Sequence, residues 1–449
     1  MPWILVFYAG PRDAHGHWEL SHLTIAILSG IAILGAAFLL SWGAEVAQLD
    51  MAQSLALVIL SLIAILPEYA VSMIFAWGAG KGFLASQNPA TANLPETSRL
   101  LENVNYTTAN MTGANRILIG IALSAVVFIY YWRTRERQIT VESARGVEIK
   151  FLLLATLYSF TLPIKAVVLG ERAGGLNIID AVVLVALFGF YTRATAQTEH
   201  VEPELIGPPA LIALLERTPR RLICLGLFAF AAWAIFLASH PFSDSLVEVG
   251  KTYRVNEFLL VQWIAPLASE MPEFIVAGLF AWRGLPTMGM GTLISSKVNQ
   301  WTLLVGLLPV TYSLAAKQLS PLPLDGRQST EVLLTSAQSL YAVAVLLNFN
   351  ISVWEGVGLL VLFLAQAITQ ICINIMLPNT PATLWLTQSS QLFFSAIYIA
   401  LALYIIFASA ERKAILYGMF RSRKGVAAGI AAARATPEPK DRTDLTESL

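Results

Sequence analysis

Two Pro-Glu pairs inside apolar stretches are the residues of this sequence best suited to do chemistry. Pro67 and Glu68 lie in LPEYAVSMIFAW, and Pro272 and Glu273 lie in MPEFIVAGLFAW. A carboxylate within a membrane span costs about 3 kcal/mol, so it persists where a cation, a proton or a polar cavity offsets that cost. Proline disturbs the preceding helical turn, and the freed carbonyl oxygens suit hard cations. The pairs predict a cation or proton site at two broken helices, the alternative being structural acids paired with Arg or Lys.

The two stretches also indicate an internal repeat. Six of their twelve positions are identical, the Pro and the Glu among them. Each copy is followed by a span that opens in small and polar residues, TTANMTGANRIL in the first case and GTLISSKVNQWTL in the second. The copies lie five predicted spans apart, so they cross a membrane in opposite senses. This is the inverted repeat of many secondary transporters, whose site lies near the midplane where the repeats meet.

Composition places these stretches in a membrane. The 449 residues are 56% hydrophobic and only 13% charged, where a soluble domain carries roughly 25% charged residues. The mean hydropathy is +0.65, and the apolar runs reach the roughly 20 residues that a spanning helix needs. Hydropathy predicts eleven spans, at about 22–47, 53–77, 108–132, 150–169, 178–196, 220–239, 255–282, 288–316, 331–348, 353–376 and 386–409. A net charge of zero argues against nucleic acid as a partner.

The predicted fold is an all-α polytopic membrane protein. It is an inverted repeat of two five-helix halves, a ten-span core, plus one extra C-terminal span. The expected segments are an outside N-terminal segment (1–21), a first membrane repeat (22–196), a cytoplasmic linker (197–219), a second membrane repeat (220–376), an additional transmembrane helix (386–409) and a basic, partly disordered cytoplasmic tail (410–449). A further loop is expected at 78–107, since the second copy has only a tight turn there.

Orientation follows from the positions of Lys and Arg. They concentrate in the loop after the third span, in the loop after the fifth and in the tail, as Arg133, Arg135, Arg137, Arg145, Lys150, Arg217, Arg220, Arg221, Arg412, Lys413, Arg421, Arg423 and Lys424. With eleven spans all three segments fall on one face. We therefore expect a multi-pass protein of the cell membrane with its N-terminus outside and its C-terminus in the cytoplasm.

These residues resemble the sodium/calcium exchanger superfamily of cation/Ca²⁺ antiporters. Its two repeats carry a G-T/S-S-x-P-E motif, followed in the next helix by G-N-x-x-G-S-N. The second copy, APLASEMPEF, is similar through Ser269, Glu270, Pro272 and Glu273, whereas the first, LIAILPEY, has apolar residues for the hydroxyl pair. The resemblance covers roughly 22–376. It implies alternating access around paired glutamates, with cations such as Na⁺, Ca²⁺ or H⁺ as substrates and the bilayer as environment, and no cofactor.

The second motif departs from the family pattern. It reads ANMTGAN in the first repeat and GTLISSK in the second, and the family's later Asn or Asp ligand is replaced by Leu118 and Gln300. Carried over position by position, the candidate ion-binding residues are Glu68, Glu273, Ser269, Glu270, Asn110, Asn115, Ser295, Ser296 and Gln300. Glu68 and Glu273 are the expected metal ligands, and Pro67 and Pro272 the expected helix breakers.

Two basic residues, Lys297 and Arg116, enter the same region. If they point inward, they compensate two carboxylate charges and favour a monovalent cation or a proton over Ca²⁺, which prefers several negative ligands. Lys297 would then act as a tethered cation. Alternatively, both pair elsewhere or snorkel to the interface.

Two other classes of function are open to this composition. An intramembrane enzyme would need H-E-x-x-H, paired aspartates or G-x-S-x-G, none of which occurs in the sequence, so we expect no enzyme. A non-transporting membrane scaffold would keep the exchanger fold without its ion ligands. It is the alternative to an antiporter that exchanges Ca²⁺ or a monovalent cation against Na⁺ or H⁺.

Overall fold

The fold is almost entirely helical in the computed structural model. It describes residues 2–10, 19–47, 49–50, 66–141, 146–171, 173–196, 205, 207–253, 255–377 and 380–421. The helices are α1 (Pro2–Ala9), α2 (His22–Ala47), α3 (Leu66–Ser86), α4 (Pro95–Ile117), α5 (Ser124–Thr134), α6 (Gly146–Ser159), α7 (Thr161–Leu169), α8 (Ile178–Thr195), α9 (Pro208–Ala213), α10 (Arg217–Tyr253), α11 (Glu257–Trp282), α12 (Pro286–Asn299), α13 (Val305–Ala316), α14 (Gly326–Leu346), α15 (Val353–Met376), α16 (Pro381–Ala408) and α17 (Ala410–Arg421).

Many of these helices are long and apolar enough to cross a membrane. By length and composition seven stretches of the described chain qualify: His22–Ala47, Pro95–Thr134, Gly146–Leu169, Ile178–Thr195, Arg217–Tyr253, Val353–Met376 and Pro381–Ala408. An eighth is obtained if the bent pair Glu257–Met271 and Glu273–Trp282 is one span. The remaining predicted spans, 53–77, 288–316 and 331–348, fall on α3, on α12 with α13 and on α14, apart from the part of 53–77 before residue 66. The count of eleven stays a prediction.

The surface of the helices is apolar, as lipid contact requires. Side chains such as Val167, Phe236 and Trp354 are 81%, 80% and 77% exposed. The interior, in contrast, buries many polar groups, among them Glu68, Arg116, Glu270, Lys297 and Glu331. Because lipid offers no hydrogen bonds, this arrangement places the polar chemistry between helices.

Two π-helical segments interrupt the helices of the small and polar motif. Leu118–Leu123 joins α4 to α5, and Gln300–Leu304 joins α12 to α13. They begin at Leu118 and Gln300, the positions that correspond in the two predicted repeats. Such π segments commonly mark functional places in a helix, and their equal positions support the predicted repeat.

Helix starts are fixed by local hydrogen bonds. Capping boxes begin α8 at Asn177, α14 at Asp325 and α15 at Ser352, each satisfying otherwise unpaired backbone N–H groups. Strands β1 (Gln138–Thr140) and β2 (Asn350–Ser352) pair antiparallel and join the end of α5 to the start of α15.

The expected loop at 78–107 is wrong. Helix α3 continues to Ser86 and α4 begins at Pro95, so only a short turn separates them. Gly82 lets the two helices approach closely, since a Cβ there would lie 2.8 Å from the Leu100 backbone. Hydropathy does not indicate these helical turns, because they carry polar residues such as Lys81 and Glu102.

Several predicted segments extend beyond the described residues. These are the start of the second span (53–65), parts of the N-terminal segment (11–18) and of the linker (197–204 and 206), and the tail from 422 onward. The described start of the tail forms α17, which buries Ile415 and Met419. Helices α9 and α10 begin within the predicted linker.

Candidate ion-binding site

Two buried carboxylates and a third, partly buried one come together where α11 bends. Helix α11 turns by 57° between Met271 and Glu273, so Glu270 lies just before the bend and Glu273 just after it. Glu68, in the first turn of α3, is only 1% exposed and Glu270 only 2%. The Glu68 carboxylate lies within electrostatic reach of both Glu270 and Glu273. The two Pro-Glu pairs thus meet, and Glu270 joins them.

Four of the six carboxylate oxygens lack a hydrogen-bond donor among the described residues. Within the described chain, both oxygens of Glu68 and one oxygen each of Glu270 and Glu273 are buried without a hydrogen-bond partner. A buried charge without a partner costs several kcal/mol, and the structure offers these groups too few donors to offset it. No set of three or more His, Cys, Asp or Glu side chains in the described ranges is arranged as a metal site.

Further unsatisfied amide groups lie near these carboxylates. Asn110 on α4 donates from Nδ2 to Ser72 Oγ on α3 at 2.7 Å, and its Oδ1 is left without a partner. Gln300, the first residue of the second π segment, is fully buried with no described partner for Oε1 or Nε2, and it lies within reach of Glu270. Carbonyl-type oxygens of this kind are hard-cation ligands.

Lys297 points inward and binds the other predicted repeat. Its Nζ donates to Asn115 Oδ1 at 2.7 Å and to the Asn115 carbonyl oxygen at 2.9 Å. The amine lies 5.1 Å from the ring centroid of Trp301, and it is within electrostatic reach of Glu68 and Glu270. The structure therefore places Lys297 within electrostatic reach of the carboxylates, and its role as a tethered cation stays a prediction.

Three predicted ligands, Ser269, Ser295 and Ser296, have no described hydrogen bond to the carboxylates. Ser269 Oγ donates to the Ala265 and Pro266 carbonyl oxygens of its own helix. Ser295 Oγ is bonded to Tyr191 on α8 at 2.7 Å, and Ser296 is 6% exposed. The serine hydroxyls are thus mostly used within the helix packing.

The two prolines fit their predicted role unequally. Helix α11 bends between Met271 and Glu273, at the position of Pro272, and the helix-breaking role of this proline stays a prediction. Pro67 is buried in the first turn of α3, where proline is well tolerated, and the preceding residues 51–65 lie outside the described chain.

Arg116 does not face the carboxylates. Its Nη2 donates to Glu331 Oε2 on α14 at 2.5 Å, and both side chains are at most 1% exposed. Arg116 thus follows the alternative expectation, in which it pairs with a residue away from the carboxylates. Sequence reasoning missed Glu331, because it lies at the predicted boundary of a span, where an acid is ordinarily explained by the interface. The three glutamines that bond it, Gln262, Gln370 and Gln391, lie at apolar-helix positions and were the available signal.

These features define a polytopic membrane transporter with a carboxylate site between its helices. The family model described as sodium/calcium exchanger protein matches residues 21–196 and 223–372. The chain belongs to this family of cation/Ca²⁺ exchangers and is a transporter rather than an enzyme.

Solved structures agree with this assignment. The chain is similar to the crystal structure of the H⁺/Ca²⁺ exchanger CAX, with 39% identity, 96% of this chain and 94% of that chain covered, and a TM-score of 0.77. A structure of the sodium-calcium exchanger NCX_Mj shares the fold at 15% identity, with 78% and 98% covered and a TM-score of 0.50. No curated protein sequence matches the chain.

Proposed function

We propose that this protein is a secondary active antiporter that exchanges Ca²⁺ against H⁺ by alternating access around Glu68, Glu270 and Glu273. The observation that carries the proposal is the set of buried carboxylate oxygens that lack partners in the described chain. The similarity to an H⁺/Ca²⁺ exchanger at 39% identity supports the choice of ions.

The chemistry of exchange follows from the carboxylates. A buried carboxylate without a partner is neutralised either by a proton or by a bound cation. Ca²⁺ and protons therefore compete for the same oxygens, so binding of Ca²⁺ on one side releases protons and protonation on the other side releases Ca²⁺. Asn110 Oδ1, Gln300 Oε1 and the backbone carbonyls at the bend of α11 would complete the six to eight oxygens that Ca²⁺ prefers.

The predicted inverted repeat supplies the alternating access. Glu68 and Glu273 stand at equivalent positions of the two copies, and rocking of one repeat against the other would open their shared site to either side in turn. In this proposal the N-terminus lies outside, the basic C-terminal tail lies in the cytoplasm, and α16 is an addition to the ten-span core.

A second candidate, exchange of a monovalent cation against H⁺, is favoured by Lys297. Its amine lies within electrostatic reach of Glu68 and Glu270. Its charge would compensate one carboxylate and lower the preference for a divalent ion. The two candidates differ in the ion carried and agree on the site.

Reconstituted liposomes separate these functions. Fluxes of Ca²⁺, Na⁺ and K⁺ driven by a proton gradient, and of Ca²⁺ and H⁺ driven by a Na⁺ gradient, are measured for the wild type, Glu68→Gln and Glu273→Gln. Glu96→Gln is the matched control, because Glu96 is exposed near the start of α4. We expect proton-driven Ca²⁺ flux that both site variants abolish and the control retains. Monovalent flux without Ca²⁺ flux would support the second candidate, and wild-type protein without any flux would support a non-transporting scaffold.

A further inference from the structure

Glu331 is the centre of a buried polar cluster outside the three-carboxylate site. Its side chain is fully buried, and four side chains donate to it: Arg116 Nη2 at 2.5 Å, Gln262 Nε2 at 3.0 Å, Gln370 Nε2 at 3.0 Å and Gln391 Nε2 at 2.6 Å. All four contacts are donors, as an ionised carboxylate requires. The donors come from α4, α11, α15 and α16, so one carboxylate links four helices.

Arg116, the ion-pair partner of Glu331, directly follows Asn115, the residue that binds Lys297. Lys297 Nζ is held by the carbonyl oxygen and the Oδ1 of Asn115, and Arg116 is the following residue. The Arg116 charge lies within electrostatic reach of Lys297, which in turn reaches Glu68 and Glu270. Arg116 also lies 5.2 Å from the ring centroid of Trp263, on the helix that carries Glu270.

From this geometry we propose that Glu331 sets the charge of the ion site by neutralising Arg116. This inference rests on the proposed function. In this proposal Lys297, which lies within electrostatic reach of Glu68 and Glu270, compensates one of the three carboxylates. An unneutralised Arg116 would compensate another and leave too little negative charge for a divalent cation. Glu331 cancels that second cation, so Arg116 can link helices without weakening the site. Glu331 is thus a positioning and charge-setting residue rather than an ion ligand.

The same arrangement explains the role of the additional helix α16. Gln391 on α16 donates to Glu331 Oε1, as does Gln370 on α15. Gln262 donates to Oε2 beside Arg116, ten residues before Pro272 on the bent helix α11. Two donors on helices without a Pro-Glu pair, Gln370 and Gln391, thereby hold Glu331 together with Gln262 of the bent helix.

The test compares variants that change one or both charges. Glu331→Gln leaves Arg116 unneutralised, Arg116→Gln leaves Glu331 unneutralised, and the double variant removes both charges. Glu355→Gln is the matched control. Glu355 lies on α15, pairs with Arg412 at 2.6 Å and does not contact the cluster. The first readout is the rate at which dicyclohexylcarbodiimide labels Glu68, Glu270 and Glu273 in the purified protein, determined by peptide mass spectrometry. The second is the KM for Ca²⁺ in liposomes with a proton gradient.

We expect Glu331→Gln to slow labelling about tenfold and to raise the KM for Ca²⁺ about tenfold, since a unit charge roughly 12 Å away has effects of this size at an effective dielectric constant of about 20. The carbodiimide reacts with protonated carboxyls, which an added cation makes scarcer. Arg116→Gln should speed labelling, and the double variant should return both quantities to within about twofold of the wild type. A merely structural cluster does not predict opposite signs for the two single variants, since the loss of either partner leaves one buried charge unpaired.

The inference is overturned if labelling in Glu331→Gln and Arg116→Gln stays within about twofold of the wild type, or if the double variant behaves like Glu331→Gln. Should Glu331→Gln not fold, Arg116→Gln and the double variant still decide the sign of the effect. Failure of the proposed function gives a different result, because wild-type liposomes would then carry no Ca²⁺ while the labelling rates would still report the charge at the site.

Discussion

Lys297 and Asn115 bind each other across the protein interior, with Lys297 Nζ 2.7 Å from Asn115 Oδ1. Each is the last residue of its seven-residue motif segment, ANMTGAN in one predicted repeat and GTLISSK in the other. The two positions therefore correspond, and one of them has become a basic residue that its counterpart holds. A cation fixed in this way beside Glu68 and Glu270 would affect both which ions bind and how strongly.

Replacement of Lys297 by Met removes the fixed charge and keeps a long, flexible side chain. We expect the KM for Ca²⁺ to fall about tenfold, because one negative charge of the site is no longer compensated. The measurement is Ca²⁺ uptake into liposomes, with Lys251→Met as control, since Lys251 is exposed and pairs with Glu248. An unchanged KM would contradict a tethered cation at the site.

Replacement of Glu270 by Gln tests whether the third carboxylate belongs to the site. Glu270 is buried, and one of its oxygens lacks a partner in the described chain. We expect transport to persist with a KM for Ca²⁺ raised about tenfold, whereas loss of Glu68 or Glu273 abolishes it. Glu257→Gln, in the first turn of the same helix, serves as the control. A KM equal to that of the wild type would reduce the site to two carboxylates.

Replacement of Gly113 by Ala should separate α4 from α11. A Cβ at Gly113 would lie 1.8 Å from the Gln262 carbonyl oxygen, so the backbones must move apart at a cost of about 2 kcal/mol. Gly189→Ala is the matched control, because nothing lies within 4 Å of a Cβ at that helical position and alanine favours helix. The apparent Tm in detergent should fall for Gly113→Ala and hold or rise for Gly189→Ala. Equal values would show that the two helices are not in contact at Gly113.

Replacement of Asp50 by Asn should remove an acid-sensitive link between α2 and α10. Arg220 donates to both Asp50 oxygens, at 2.8 and 2.9 Å, and these hydrogen bonds lower the pKa of Asp50 to about 2. Because the folded pKa lies below the unfolded value, the stabilisation is complete above about pH 4 and disappears as the pH falls towards 2. We expect a small stabilisation of the folded state, because Arg217 is exposed and solvent screens surface ion pairs of this kind.

The measurement is the apparent Tm of wild type and Asp50→Asn between pH 7 and pH 2. The difference should be constant down to about pH 5 and should narrow below pH 4. A difference that is independent of pH throughout this range would show that the ionised Asp50 does not carry the link.

The pairing of Glu68 with Glu273 could be predicted because membrane depth makes an acid costly, so its repetition in the same register is informative. The direction of Lys297 was open, since a flexible amine can reach inward or snorkel. The direction of the Arg116 side chain was also open. Its partner Glu331 is 215 residues away in the chain, too far for any local pattern to indicate the pair. The segment 78–107 was misjudged because its helices carry polar residues on turns that pack against protein.

The sequence by itself determined the membrane environment and the family, and it predicted the acids that could bind a cation, because hydropathy, charge and the Pro-Glu motif are local properties of the chain. Only the tertiary structure decided which buried groups neutralise one another. It brings Lys297 to Asn115, Arg116 to Glu331, and Ser295 to Tyr191. Such pairings depend on which faces of distant helices pack together, and in a low-dielectric interior they set the charge that remains for an ion.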